Sequence, residues 1–203
     1  MPSDPAEMVR EAMLWIADGQ ITRACALAEG IAQVQIARPV KVVPAAQVSA
    51  EAIAPTRRRG GPSLAVRARV YARDQYTCRY CNRKTVLEVA FVYLNGHFPR
   101  LVPHHPYWRT GFVHPLVPLI TTSLDHIHPL ARGGDNSEDN LAATCAGCNY
   151  TKNVSPLTEL GWSLRSDPIS DWDGATAALL RAMEVSRVDH PQIAAWMQVL
   201  QRG

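Results

Sequence analysis

LDHIHPLARGGDNSEDNLAATCAGCNYTK, residues 124–152, is the stretch around which we interpret the rest of this chain. It combines carboxylates, two imidazoles, several amides and two cysteines, all of them groups that bind metal ions or move protons in proteins. A segment this dense in such groups is rarely only a scaffold. The stretch therefore predicts a chemical site, whose nature depends on what the remaining sequence supplies.

The length and composition of the chain set the frame for that site. Its 203 residues are enough for one domain and a small appendage, and an apolar content of 47% is ordinary for a globular protein. No apolar run is long enough to span a membrane, so we expect no membrane partner. The acidic start lacks the order of a secretion signal, which predicts a cytoplasmic protein with reduced cysteines.

Positive charge is concentrated in one part of the sequence. The net charge is only +3, but residues 57–84 contain nine arginine and lysine residues and a single acid, Asp74. A local excess of this size attracts polyanions such as nucleic acids. The alternative interpretation is a solvated helix face, because a charge run by itself does not identify a partner.

Periodicity and composition divide the chain into three parts. Residues 1–37 carry apolar side chains at helical spacing and predict a helical hairpin for packing or self-association, which makes a homodimer one expected state. Residues 38–62, rich in proline, small residues and arginine, predict a linker. Residues 63–203 form the main domain, in which Ser63 can cap a basic helix and two further helices are predicted at 174–187 and 191–200.

An insert at residues 85–122 is the least regular part of the main domain. Val86–Leu94 is rich in β-branched and aromatic residues, and Asn95-Gly96 is a common hairpin turn. We therefore predict a strand followed by a tight turn. The five prolines after this turn argue against long helices in the rest of the insert.

Four of the five cysteines fall into two pairs, Cys78-x-x-Cys81 and Cys145-x-x-Cys148. Two residues between thiolates let one tight turn aim both sulfurs at a single ion, and two such turns complete a tetrahedral zinc site. Four thiolates leave no open coordination position, so this Zn²⁺ is predicted to be structural. The alternative is a pair of disulfides, which a reducing compartment disfavours.

These motifs, in this order, resemble the HNH endonuclease family, in the branch with a four-cysteine zinc site. Three segments carry the resemblance: Asp125-His126-Ile127-His128-Pro129, Asp139-Asn140-Leu141 and Cys145-x-x-Cys148-Asn149-x-x-Lys152. It covers about residues 64–165. The resemblance implies an α+β fold built on a zinc-stapled ββα-metal nuclease domain, with strands near 123–126 and 141–144 and a helix from about Gly147. The helical hairpin and the C-terminal helices flank this domain.

The same residues suit phosphodiester hydrolysis on chemical grounds. That reaction needs an activated water and a cation that stabilises negative charge on the phosphate and the leaving oxygen. His126 is the candidate base because a neutral imidazole takes a proton near neutral pH, and the alternative is a core histidine. Asp125 and Asn149 each offer an oxygen to a divalent ion and leave room for water and phosphate, which suits Mg²⁺ or Mn²⁺.

Further residues receive candidate roles from their positions. In the family the middle asparagine holds the loop that carries the base, and Asn140 matches it; the alternative is an Asx turn. His128 is a candidate metal ligand, a residue that orients His126, or a loop residue. Lys152 and Arg132 are candidate phosphate contacts. The basic helix adds three more candidates for nucleic-acid binding: Arg67, Arg69 and Arg73.

The sequence thus predicts a metal-dependent endonuclease acting on DNA, with RNA as a second candidate substrate. Contacts to the phosphate backbone alone predict low sequence specificity. Phage defence, restriction of foreign or modified DNA, and processing of mobile elements all fit such an enzyme. The rival interpretation, from a different class, is a non-catalytic zinc-ribbon module that binds nucleic acid or a partner protein.

Overall fold

The computed structural model describes residues 4–34, 61–109, 111–165 and 171–202. They contain helices together with one two-stranded antiparallel sheet. This mixture confirms the α+β class. The predicted linker at 38–62 lies outside the described residues except for its last two positions.

The N-terminal region forms two helices, α1 (Pro5–Ala17) and α2 (Ile21–Gln33), which pack on each other. The Asp4 carboxylate caps α1 by accepting a hydrogen bond from the backbone N–H of Ala6 at 2.8 Å. The buried face of α1 also contacts the C-terminal helix α8 (Thr176–Val185). Contacts within one chain therefore cover this apolar face, and the homodimer stays a prediction.

A basic helix, α3 (Leu64–Arg73), leads into the first cysteine pair. The Ser63 hydroxyl caps it by accepting from the backbone N–H of Val66 at 3.3 Å. Just after the helix, the buried Asp74 carboxylate accepts from the backbone N–H of Ala143 at 2.8 Å. This bond ties the end of α3 to the sheet, because Ala143 lies on its second strand.

The insert begins with a helix, α4 (Glu88–His97), and the prediction of a strand and a turn there was wrong. Residues 89–94 are all buried. A segment enclosed on every side shows neither the helical nor the strand periodicity of apolar residues, so its pattern does not separate the two. Gly96 belongs to the last turn of α4, where an added Cβ would come within 2.8 Å of Val188. This glycine serves close packing.

The sheet pairs β1 (Thr122–His126) with β2 (Leu141–Cys145), and Asp125 lies opposite Ala142. Helix α6 (Ala146–Lys152) begins directly after β2 and contacts both strands. Two antiparallel strands followed by a helix occupy the positions that the resemblance implies. This arrangement brings the end of β1 beside the residues of α6.

Three further helices are α5 (Val117–Ile120), α7 (Leu157–Leu160) and α9 (Pro191–Leu200). Helix α9 packs on α3 and α4 and has the bounds predicted from its proline and apolar positions. The buried Trp172 indole donates to the Thr85 carbonyl at 2.7 Å and so anchors the C-terminal region to the start of the insert. Within the described part of the chain, no helix is both long and apolar enough to cross a membrane.

Candidate active site beside a four-cysteine cluster

The four paired cysteines form one cluster. Cys78 and Cys81 lie on a turn that is closed by a hydrogen bond from Cys78 N–H to the Arg83 carbonyl at 2.8 Å. Cys145 ends β2, and Cys148 lies in the first turn of α6. The four Sγ atoms all lie within 4.8 Å of one another. All four are free thiols, which argues against the disulfide alternative.

The cluster has the geometry of a tetrahedral metal site. Four sulfurs at the usual zinc–sulfur distance of about 2.3 Å are about 3.8 Å apart, and the Cys81 and Cys145 sulfurs are 3.9 Å apart. Hydrogen bonding with neighbouring thiols lowers the pKa of Cys81 and raises the pKa of Cys148. Sulfurs this close do not all ionise without a cation between them. The donor set therefore fits a metal ion such as zinc.

Asp125 is a buried carboxylate near the end of β1, and one of its two oxygens is engaged by the protein. Its Oδ2 accepts a hydrogen bond from the Tyr80 hydroxyl at 2.6 Å and lies 3.0 Å from the Lys152 ammonium. Burial and the charge of Asp125 raise the pKa of Tyr80, which keeps the phenol a donor. Among the described residues, none donates a hydrogen bond to Oδ1. That oxygen is available to a cation.

Lys152 is fully buried, and this placement corrects the predicted phosphate contact. Its Nζ donates to the His126 carbonyl at 2.7 Å in addition to pairing with Asp125. A buried ammonium requires a charged partner and hydrogen bonds, and both are present. Lys152 and Asn149 both lie on α6, three residues apart, but the Lys152 side chain points into the protein. Lys152 neutralises Asp125 and holds the end of β1.

His126 ends β1 with a half-buried imidazole. Its Nε2 lies 2.8 Å from Oδ1 of Asn136, in the loop between the two strands. An amide oxygen at this distance pairs with a nitrogen that carries a proton, which leaves Nδ1 as the basic nitrogen of the neutral ring. This partly exposed setting fits a candidate base better than it fits a core histidine.

Asn149 lies on α6, and its amide is tied to β1. Nδ2 donates to the Ser123 hydroxyl at 2.7 Å and to the Leu124 carbonyl at 3.1 Å. No donor to its Oδ1 occurs in the described ranges. Asp125 follows Leu124 directly, so the amide of Asn149 is anchored to the residue next to Asp125. One carboxylate and one amide oxygen suit a hard divalent ion such as Mg²⁺ or Mn²⁺.

Asn140 holds the loop between β1 and β2, from the last position of a 3₁₀ turn (Glu138–Asn140). Its Oδ1 accepts from the His128 N–H at 2.8 Å, and its Nδ2 donates to the His128 and Asp135 carbonyls at 3.0 Å and 2.9 Å. Gly134 approaches this clamp so closely that an added Cβ would lie 1.9 Å from the His128 carbonyl oxygen. Asn140 thus makes the loop-holding contacts that the resemblance implies.

His128 belongs to the same loop and is exposed. Its Nε2 lies 2.7 Å from the Arg132 carbonyl. In the part of the chain that the structure describes, the four cysteines are the one group of three or more gathered metal-binding side chains, so His128 is not in such a group with Asp125. Its contacts match the alternative of a loop residue and do not favour a metal ligand.

The arginines predicted to contact nucleic acid have hydrogen-bond or ion-pair partners within the protein. Arg69 pairs with the Glu138 carboxylate at 2.5 Å, and Arg73 donates to the Leu141 carbonyl at 2.7 Å. These bonds hold the segment that leads into β2. The Arg69 side chain stays 59% exposed, so nucleic-acid binding by this helix stays a prediction. The remaining two candidates also have partners: Arg67 with the Pro62 carbonyl and Arg132 with Glu159.

Two residues of the site were missed by the sequence interpretation. Tyr80 lies between the first two cysteines, and that position was the available signal. Asn136 lies in a polar turn in which the Asp135 carboxylate accepts from the Ser137 N–H at 3.0 Å. Neither sequence pattern identifies the partner of its residue, which is Asp125 for Tyr80 and His126 for Asn136.

The segment that forms the site also matches a known family. Residues 118–155 match the family model described as HNH endonuclease. This segment includes most of α5 and all of β1, β2 and α6, and the match confirms the resemblance seen in the sequence. It indicates nuclease activity and therefore a nucleic-acid substrate. Neither a curated protein nor a solved structure matches the chain.

Proposed function

We propose that this protein is a metal-dependent endonuclease that hydrolyses phosphodiester bonds in DNA. The observation that carries the proposal is the pair of uncommitted oxygens, Oδ1 of Asp125 and Oδ1 of Asn149, on two elements joined by hydrogen bonds. His126 follows Asp125 on the same strand. A base, a carboxylate and an amide in this arrangement support hydrolysis, since a module that only binds needs none of them.

His126 takes a proton from the attacking water at Nδ1. Its contact with Asn136 keeps the other ring proton on Nε2 and fixes the plane of the imidazole. Asn140 holds the Asp135 carbonyl, which directly precedes Asn136, so the loop sets the ring orientation before substrate binds. General-base catalysis of this kind contributes about 10²- to 10⁴-fold to the rate.

A divalent ion, Mg²⁺ or Mn²⁺, would be held by Asp125 and Asn149 and would stabilise the negative charge that develops on the phosphate and the leaving 3′ oxygen. The hydroxyl of Tyr80 and the ammonium of Lys152 both engage Oδ2 of Asp125, so Oδ1 is the oxygen that remains for this ion. The four cysteines would hold a structural zinc, because four sulfurs leave no coordination position for substrate.

DNA is the proposed substrate, with RNA as the second candidate. The Arg69 side chain on α3 is 59% exposed beside the loop to which Glu138 belongs, and a phosphate bound there would replace Glu138 as its partner. Contacts of this kind hold a phosphate backbone without reading the bases. Low sequence specificity follows. Phage defence, restriction and mobile-element processing are each compatible with such an enzyme and stay predictions.

Nicking of supercoiled plasmid tests the proposal. Zinc-loaded protein freed of other divalent ions should nick DNA only after Mg²⁺ or Mn²⁺ is added. His126→Ala should lower the rate by about 10²- to 10⁴-fold while its zinc content and circular dichroism match the wild type. His105→Ala, which changes a histidine of the insert, is the matched control and should keep the wild-type rate. A zinc-loaded wild type that nicks neither DNA nor RNA with either ion would favour the zinc-ribbon alternative.

A further inference from the structure

Tyr80 connects the cysteine cluster to the carboxylate of the candidate active site. It stands between Cys78 and Cys81 in the chain, and its hydroxyl donates to Oδ2 of Asp125 at 2.6 Å. The side chain is buried, and its ring lies 5.6 Å from the ring of Trp162, centroid to centroid. Tyr80 is thus held at both ends. Its backbone lies in the turn that carries Cys78 and Cys81, and its hydroxyl is hydrogen-bonded to Asp125 on β1.

The carboxylate of Asp125 has two protein partners on one oxygen. Oδ2 meets the Tyr80 hydroxyl and the Lys152 ammonium, whereas Oδ1 has no donor among the described residues. Neutralising the charge of Asp125 requires only the lysine. The additional short hydrogen bond instead fixes the rotation of the carboxylate about its χ2 bond. Partners of this kind orient a metal-binding carboxylate, and their loss commonly lowers metal affinity about 10- to 100-fold.

We propose that Tyr80 is a positioning residue that aims Oδ1 of Asp125 at the catalytic divalent ion. This inference rests on the proposed function, because it assigns Asp125 to that ion. Tyr80 acts through Asp125 and does not touch the substrate. A further consequence is that the two sites are mechanically linked, since the turn that holds Cys78 and Cys81 also sets the position of the Tyr80 hydroxyl.

Tyr80→Phe tests the inference because it removes the hydroxyl and keeps the ring that packs on Trp162. Zinc-loaded protein is isolated first, so that the comparison concerns molecules with an intact cluster. Binding of Mn²⁺ in the absence of DNA is then measured by isothermal titration calorimetry. We expect the dissociation constant for Mn²⁺ to rise about 10- to 100-fold. The Mn²⁺ concentration for half-maximal nicking should rise by a similar factor, with most of the rate recovered at saturating Mn²⁺.

Tyr93→Phe is the matched control. Tyr93 is a fully buried tyrosine whose hydroxyl donates to the Ala182 and Ser186 carbonyls at 3.1 Å and 2.9 Å, outside the active site. This variant should lose stability without any change in Mn²⁺ affinity. If Tyr80→Phe also binds Mn²⁺ like the wild type, the positioning role is wrong and the nuclease proposal stands. If the wild type itself neither binds Mn²⁺ nor nicks DNA, the proposed function and this inference fail together.

Discussion

The four-cysteine cluster and the Asp125–Asn149 site lie side by side on the same sheet and helix, yet they treat their ligand atoms differently. In the cluster, the Sγ atoms of Cys78, Cys81, Cys145 and Cys148 all turn towards one another, within 4.8 Å. In the neighbouring site, each candidate ligand residue binds the protein through one side-chain atom. That atom is Oδ2 in Asp125 and Nδ2 in Asn149, and the Oδ1 of each has no donor among the described residues.

This difference separates a site that holds the fold from a site that can exchange its ligands. A cation surrounded by four sulfurs has no position for water or phosphate, so it contributes to stability alone. A cation held by one carboxylate and one amide oxygen keeps most of its positions for water and substrate. Helix α6 contributes to both groups of residues, with Cys148 in the cluster and Asn149 in the neighbouring site.

Cys81→Ser should have the largest effect on the fold. Structural zinc contributes about 10–16 kcal/mol in zinc-finger peptides, which is as large as the whole stability of a typical domain, about 5–15 kcal/mol. We expect the variant to lose zinc and to melt without a cooperative transition, measured by metal analysis and circular dichroism. Cys25→Ser, which changes the cysteine outside the cluster, should melt like the wild type.

A cooperative melt of Cys81→Ser at the wild-type temperature would show that the cluster is dispensable. The proposal that the four-cysteine cluster is a structural metal site would then be wrong.

Lys152→Met should have the second-largest effect, and it concerns the open site. The change leaves the buried Asp125 carboxylate without its cationic partner, and breaking a buried pair costs about 3–5 kcal/mol. Urea unfolding should report this loss, while zinc stays bound. In the control variant Arg181→Met, the exposed pair with Asp18 is broken, and we expect a loss of about 0–1 kcal/mol. Equal losses in the two variants would contradict the buried role of Lys152.

Glu88→Gln should have the smallest effect, and it lies outside both sites. Burial alone would raise the pKa of Glu88, but bonds from His104 and Trp108 outweigh it and lower the pKa below its ordinary value of 4.5. A carboxyl with a lowered pKa stabilises the fold above that value and loses its contribution as the pH falls through the folded-state pKa.

The difference in the free energy of unfolding between wild type and Glu88→Gln should therefore decrease as the pH falls from about 6 to about 3. Urea unfolding at several pH values measures this gap, and Glu184→Gln, at an exposed position, is the control. A gap that widens towards acid pH would mean that Glu88 is not held ionised in the fold.

The sequence predicted the parts of the molecule that depend on spacing. Two Cys-x-x-Cys pairs predict a four-sulfur cluster because each tight turn has a fixed geometry, and the cluster is present. The apolar periodicity of α9 gave its bounds. Asn140 and the strands follow from motifs with a known order. These features are local or repeat a pattern that few other arrangements produce.

The features that the sequence did not predict depend on tertiary packing, which decides which faces of a helix or strand are buried. The helix α4 was taken for a strand because of its β-branched and aromatic residues and the Asn95-Gly96 pair. Residues 89–94 are buried all round, so no periodicity argued against that prediction. Lys152 was expected to contact a substrate phosphate, and only the fold reveals the carboxylate that makes its burial stable. The hydrogen bond from Tyr80 to Asp125 joins residues brought together by the tertiary structure alone.

The measurement that tests the two-site account most directly is a metal count on Asp125→Asn. Wild-type protein equilibrated with Mn²⁺ should carry a tightly bound zinc ion and a separate, exchangeable Mn²⁺ ion, quantified by plasma emission spectrometry after equilibrium dialysis. Asp125→Asn should keep the zinc and lose most of the Mn²⁺, whereas Asp139→Asn, which changes an exposed acid between β1 and β2, should keep both. Asp125→Asn that binds Mn²⁺ as the wild type does, or that loses zinc instead, would contradict the account.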